Sequence, residues 1–408
     1  MYVYGSDGQQ YLDFSSQNVY TNLGHQHKKV TSVVADQLGR LSQMASHTTR
    51  QMQDAAAYMV RKLVGEHVYS HVHFATSGTD AVENAIRIAR TVSGRTKILS
   101  SYTSYHGSSG TALAASGDKR RNLAPQLPGH VHFHSPYLFR SPFMASTHEE
   151  ETRRALHHLK CTIEAEGPDT IAAILFEPIQ GAGGVLVPPP WYIEGLCNMA
   201  SDYDILVIFD ETMTGFGRTG KEFAYMHHEY VTPDIIVMGK AMTNGVVPCG
   251  AVAVTAPIAD QLNYKVPGGQ TFCAHPLLLA ATIGTVDAML EENIVANAHE
   301  VGRYLGDKLH NFIMGEAINE RYMHYCVGDV RGRGLMWCLE LIGNVHTKEP
   351  VSKENMDLLV KMLFDRGLLV FNAKNRIHLV PPLIATKSDV DVAFGILDET
   401  LHAWEQVI

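Results

Sequence analysis

The sequence predicts an α/β fold with a mainly parallel sheet, followed by a smaller α+β domain. Short apolar runs alternate with segments of helical spacing up to about residue 285, the pattern of a sheet covered on both faces by helices. Beyond that point short alternating strands with turn breaks take over, in VGDVRGRGLMWCLELI (327–342) and RGLLVFNAKNRIHLVPPL (366–383). The chain has 408 residues, and single cores stop growing near ~250–300 residues, so two domains are expected.

Taken in order, residues from about 28 to 64 show helical spacing, and VYSHVHFATSG (68–78) reads as a strand running into a turn. TDAVENAIRIARTVSG (79–94) is the clearest helix: Ala81, Ala85, Ile86, Ile88 and Ala89 fall on one face, and Thr79 or Asp80 lies where first-turn donors are free. Strands follow at KILSSY (97–102), IAAILFEP (171–178), ILVIFD (205–210), DIIVMGK (234–240) and GAVAVT (250–255). Helical stretches such as WYIEGLCNMASDY (191–203) separate several of them, and a long helical region is expected over 285–315. No internal repeat or low-complexity tract interrupts this order.

Composition excludes several classes. Hydrophobic residues make up 45% and charged residues 18%, with a net charge of −9, so no basic surface awaits nucleic acid. Six cysteines are scattered without CxxC pairing and read as buried thiols of a reducing compartment. The start MYVYGSDGQQYLDF lacks a basic and apolar leader, and no apolar stretch approaches ~18 residues; a cytoplasmic protein without a membrane partner is expected. Alternation puts His130, His132 and His134 on one strand face, but no acid or cysteine stands at a partnering spacing, so no metal is expected there.

Polar residues gather where apolar strands end. Ser77–Thr79, Glu177, Asp210 and Lys240 all fall at carboxyl ends of predicted strands, where ligands bind in such folds. Lys240, pinned at a strand end before a glycine-bearing turn, suits Schiff-base chemistry, because desolvation frees the amine. The strand–turn–helix at ATSGTDAVENAIRIA exposes backbone N–H groups and a positive helix end, a cup for phosphate. Tyr105 in SYHGSSG (104–110) offers a ring for stacking. Asp210 ends a buried strand and needs a cationic or hydrogen-bonded partner, which a protonated pyridine nitrogen provides. Lysine, phosphate cup, aromatic ring and acid together describe pyridoxal 5′-phosphate (PLP).

The segments SGTDAVENAIRIAR, SYHG, EPIQGAGGV, IFDETMTGFGRTG, VMGKAMTNG and GGQTFCAHP, in this order, resemble the class III (ω-) aminotransferases, PLP enzymes of fold type I. DFSSQNVYTNLGHQHKKV and NRIHLVPPL resemble the taurine–pyruvate and β-alanine–pyruvate group within them. The resemblance implies a large PLP domain over 41–285 with a mainly parallel sheet of the seven-stranded type. Residues 1–40 would form the N-terminal part of the small domain and 286–408 its C-terminal part. By the same resemblance Lys240 is the Schiff-base lysine and Asp210 the partner of the pyridine nitrogen. Ser77, Gly78 and Thr79 form the phosphate cup, Tyr105 and His106 the ring-stacking motif, and Glu177 stands near the cofactor. Thr271 would reach the phosphate in a neighbouring subunit of a homodimer or larger assembly, while Arg218 would hold the glycine-rich turn and Glu211 brace it.

Departures from the family pattern bear on substrate. Thr212 and Met213 stand where relatives carry an apolar residue and glutamine or isoleucine. Ala182 and His378 replace the glutamate and arginine that gate the α-carboxylate of glutamate-type substrates, which leaves Arg376 or Arg140 as alternative acid-binding groups. Relatives also carry a segment ahead of the VxDxxGxxYLDF stretch that this chain meets almost at Met1; either a more open pocket or a start upstream is expected. The implied activity moves an amino group from an ω-amino acid or amine such as taurine or β-alanine to a keto acid, with pyruvate the expected acceptor. A racemase or epimerase on the same scaffold, or a PLP-binding protein without turnover, is the alternative.

Overall fold

The computed structural model describes residues 1–263, 266, 269–314 and 324–407. Strands are numbered here in chain order. β1 (Tyr2–Tyr4) and β2 (Gln10–Phe14) open the chain. β3 (Tyr69–Ala75), β4 (Lys97–Ser101), β5 (His130–Phe133), β6 (Ile171–Phe176), β7 (Leu206–Asp210), β8 (Ile235–Gly239) and β9 (Gly250–Thr255) follow. All but β5 lie where apolar runs predict them. They form one seven-stranded sheet in the order β3-β9-β8-β7-β6-β4-β5. β9 alone runs antiparallel to its two neighbours; the other adjacent pairs are parallel.

β7 lies between β6 and β8, and every residue of IFD at its end is buried, as an all-apolar run requires of a central strand. The helix Gly78–Ser93 buries Ala81, Val82, Ala85, Ile86, Ile88 and Ala89 on the sheet. It ends at Gly94, whose φ of +68° suits glycine at a helix terminus.

Two helical regions differ from the expectation. Residues 28–64 form separate helices, Lys28–Arg40 and Arg50–Val64; Leu41 is extended, and the intervening SQMASHTT offers no apolar face to bury. The expected 285–315 helix is the end of Pro276–Glu291 followed by Ile294–Met314. Asn293 breaks the two with a φ of +50°, a conformation asparagine tolerates. The first of the pair is buried on nearly every side, so it carries no polar stripe to mark its start.

β10 (Val327–Arg333), β11 (Met336–Leu341), β12 (Leu368–Ala373) and β13 (Arg376–Leu379) join β1 and β2 in a six-stranded sheet, β1-β2-β12-β13-β11-β10. β2 pairs in parallel with β12, so the first residues of the chain lie beside the last strands. Arg218 ties the regions together. Its buried guanidinium donates to the carbonyls of Leu335 and Pro381 and to Ser16 Oγ and Asn22 Oδ1. Burial pushes its pKa down to about 9. The glycine-rich turn is therefore anchored to three distant segments.

No helix among the described residues is long and apolar enough to cross a membrane.

Candidate active site

The carboxyl ends of β4, β6, β7 and β8 face one edge of the large sheet, and the turn after β3 reaches the same place, where Gly78 meets Thr212 and Gly239. β8 ends on Gly239, and Lys240 follows at a φ of +44°. A left-handed lysine is strained, and such strain gathers at functional positions. Lys240 is only partly covered, yet desolvation lowers its pKa, against the opposing pull of Asp210 and Glu177 and with help from the Arg120 charge. No described residue bonds to its amine.

Asp210, the last residue of β7, is buried. Burial alone would raise its pKa; hydrogen bonds from His106 and Thr212 overcome that and lower it. His106 Nδ1 stands 2.8 Å from Oδ2, and the Thr212 hydroxyl and N–H donate to Oδ1 at 2.7 and 3.1 Å. A carboxylate only accepts, so Nδ1 carries the proton. Nε2 of His106 is buried without a partner among the described residues.

Glu177, just past β6, is also buried and accepts from the N–H groups of Tyr105 (3.0 Å) and Gly181 (2.9 Å). Burial first, then Asp210, pushes its pKa up to about 7, against the effect of His106. Glu211 points away from this group. It accepts from the N–H groups of Ala224 and Tyr225 and from Thr214 Oγ1, bracing the turn as expected.

Ser77 caps the helix that begins at Gly78, taking the Asp80 N–H. The N–H groups of Gly78 and Thr79 have no acceptor within the helix, and they present its positive end, with Asp80 in the first turn. A Cβ on Gly78 would meet the Thr212 methyl at 3.3 Å, so the cup lies directly against the turn after β7. The residues fit PLP: a free amine for an aldehyde, an ionised acid for a ring nitrogen and open N–H groups for a phosphate.

The other residues singled out in the sequence are placed as follows. Thr212 turns its hydroxyl to Asp210 as well as standing beside Gly78. Met213 packs over Gly181, where any Cβ would collide with its sulfur, and joins an apolar cluster with Ile179 and Val185. It thereby seats the 180–184 loop. Arg140 and Arg376 both donate to Glu340, at 2.5 and 2.9 Å, and Arg140 keeps Nη2 buried without a partner among the described residues. His378 is fully buried, edge-on to Phe371. Thr271 is exposed in a turn, next to Gln270, which accepts from Thr76.

The histidines of β5 have separate protein partners. His130 lies 3.4 Å from Arg90 Nη2, and His132 bonds to the Ser116 carbonyl. A cleft of about 1120 Å³, lined by Tyr137, Pro178, Trp191, Arg331 and Trp337 among others, includes neither Lys240 nor Asp210 in its wall. Sequence reasoning passed over Arg120, whose guanidinium lies 3.5 Å from the centre of the Tyr105 ring. Nothing in its local pattern, DKRRN, separates it from a solvated basic run.

Comparison with known proteins bears on this geometry. Residues 1–401 match the family model described as aminotransferase class-III. The chain is similar to the solved structure of a taurine:2-oxoglutarate aminotransferase from Bifidobacterium kashiwanohense, in complex with PLP and glutamate. The identity is 35% and the TM-score 0.94, over 99% of this chain and 91% of that one. It is 29% identical to a taurine–pyruvate aminotransferase of Bilophila wadsworthia, over 98% of this chain and 90% of that protein. It is also 30% identical to an isoleucine 2-epimerase of Lentilactobacillus buchneri, over 98% of this chain and 87% of that protein.

Proposed function

The chain belongs to the class III aminotransferases, PLP enzymes of fold type I, and from that premise we propose that it moves an amino group from an ω-amino acid or amine to a keto acid. Taurine and β-alanine are the leading donors and pyruvate the acceptor. The observation that carries the reading is the unpartnered, strained Lys240 amine in reach of Asp210's field.

The bound cofactor supplies an electrophilic carbonyl and a ring that accepts electrons. Lys240 would hold that carbonyl until the amine donor displaces it, and the released amine, left neutral by its lowered pKa, would then move the substrate proton. Asp210, kept ionised by His106 and Thr212, holds a proton on the ring nitrogen. Gly78 and Thr79 receive the phosphate, and Tyr105 supports the ring. Thr271 reaches the neighbouring site of a cytoplasmic homodimer, a role its exposure permits.

The likeness to an isoleucine 2-epimerase favours one second reading, in which the proton returns to the carbon it left. An amine donor added without keto acid separates the two. Amino transfer converts the bound cofactor's absorbance to that of its amine form, whereas a racemase leaves it unchanged. A panel of taurine, β-alanine, 4-aminobutyrate, putrescine, 1-phenylethylamine and alanine names the donor, and no spectral response to any of them refutes the proposal. Sedimentation of the purified protein tests the dimer; a monomer removes Thr271 from the site.

A further inference from the structure

Taurine, β-alanine and pyruvate all carry an acid group, and a site that selects them needs a cation for it. The two positions that gate this group in many relatives do not supply one. Ala182 has no charge, and the buried His378 is held neutral near pKa 3 by desolvation and by Arg331 and Arg376. Arg140, Arg331 and Arg376 all donate to the single carboxylate of Glu340. Arg331 and Arg376 are further occupied by the carbonyls of Gly184 and Gly183.

Arg120 also pairs with a carboxylate, that of Asp118, but it differs in lying against Tyr105 and in its greater exposure. It stands on the short turn Lys119–Leu123, and its guanidinium stacks on Tyr105, whose own N–H is held by Glu177. Asp118 takes Nε at 2.9 Å and Nη2 at 2.5 Å, which fixes the group in place. Nη1 has no hydrogen bond to a described residue, and the side chain is 45% exposed. Its charge reaches Lys240, so it lies within electrostatic range of the reacting amine. A guanidinium stacked on a ring keeps its N–H edge open, the geometry that grips a carboxylate or sulfonate.

We propose that Arg120, presented by Tyr105 and Asp118, receives the acid group of the amine donor and of the keto acid. This rests on the amino-transfer reading above. The substrate class then follows: short acid-bearing amines, with carboxylate and sulfonate both accepted, because both offer charged oxygens to an arginine edge.

The test compares wild-type holoenzyme with Arg120→Gln and Arg120→Lys. Donors are taurine, β-alanine and 1-phenylethylamine, the last without an acid group. Isethionate, which has taurine's sulfonate but no amine, is titrated by calorimetry. Arg120→Gln should raise KM for the acid-bearing donors by about tenfold or more, as loss of one charge-assisted bond predicts. It should also abolish isethionate binding, and the loss with 1-phenylethylamine, which reports only the change at Lys240 and Tyr105, should be several-fold smaller than with the acid-bearing donors. Arg120→Lys should recover part of the KM. Unchanged KM for acid-bearing donors overturns this proposal and leaves amino transfer standing. Equal loss with all three donors also overturns it, and makes Arg120 a support for Tyr105. A wild-type holoenzyme that responds to no donor overturns the amino-transfer reading and this one together.

Discussion

Glu177 and Glu340 are both buried glutamates near strand ends, yet their carboxyl groups behave in opposite ways. Glu340 receives Tyr137, Arg140, Arg331 and Arg376. Burial works to raise its pKa, but the charges of Arg376 and Arg331 and the hydrogen bonds from Tyr137 and Arg140 pull it down to about 2. Among the described residues Glu177 receives two backbone N–H groups, and beside the charge of Asp210 it sits near 7. One cluster is satisfied and holds strands and loop together. The other keeps its groups poised between charge states, as a site for proton chemistry requires.

The sharpest break of that comparison comes from Lys240→Ala. If the poised cluster is catalytic, turnover falls by ~10²-fold to 10⁴-fold or more, and the borohydride-reducible cofactor adduct disappears; a surviving adduct refutes the lysine assignment. Asp210→Asn should lower kcat by at least about 10²-fold with little change in the melting transition, measured on the same preparation. A variant with wild-type kcat would show that Asp210 is only structural.

Glu340→Gln tests the other cluster and should act on stability instead. Removing the shared acid leaves Arg140 and Arg376 without their counter-charge and Arg331 with Asp329 alone, a loss of ~3–5 kcal/mol in chemical denaturation. The pH dependence gives a sharper reading. Because its folded pKa lies below the ordinary 4.5, Glu340 stabilises fully above about pH 4.5, and that contribution fades as pH falls toward about 2. Glu177 is raised from 4.5 to about 7, so it works the other way, costing stability as pH rises through that window. Unfolding free energies from pH 3 to 8 should show a shallower acid slope in Glu340→Gln and a shallower neutral slope in Glu177→Gln, where Glu211, also raised to about 7, keeps the remainder. Identical slopes in both variants would erase the distinction.

The smallest effect belongs to Thr212→Val, which removes one hydrogen bond to Asp210 and should cost ~1 kcal/mol. It reads out as a few-fold weaker cofactor binding, and unchanged binding would mean that His106 suffices.

Much of the poised cluster was legible because it is local. A lysine directly after an apolar strand, an acid ending another and a small-residue turn opening a helix are each visible within about ten residues, and one rule about sheet edges unites them. The satisfied cluster was not, since Glu340 draws partners from residues 137–140, 331 and 376, and nothing local marks their meeting. The same holds for the pairing of β2 with β12 and for the antiparallel β9, whose GAVAVT reads like any buried strand. Thr212 and Met213 stood out as departures from relatives; only packing on Gly78 and Gly181 explains what they do.

Arg218 carries a consequence for the order of assembly. Its four acceptors lie 117, 163, 196 and 202 residues away along the chain. Contacts that close such long loops bear the greatest entropic cost. Until both the opening segment and the final strands have arrived, this guanidinium faces water, and burying it early would strand a charge. It therefore acts as a late checkpoint, with amide protection around Ser16 and Asn22 expected to appear after protection of β6 and β7 in a refolding hydrogen-exchange experiment.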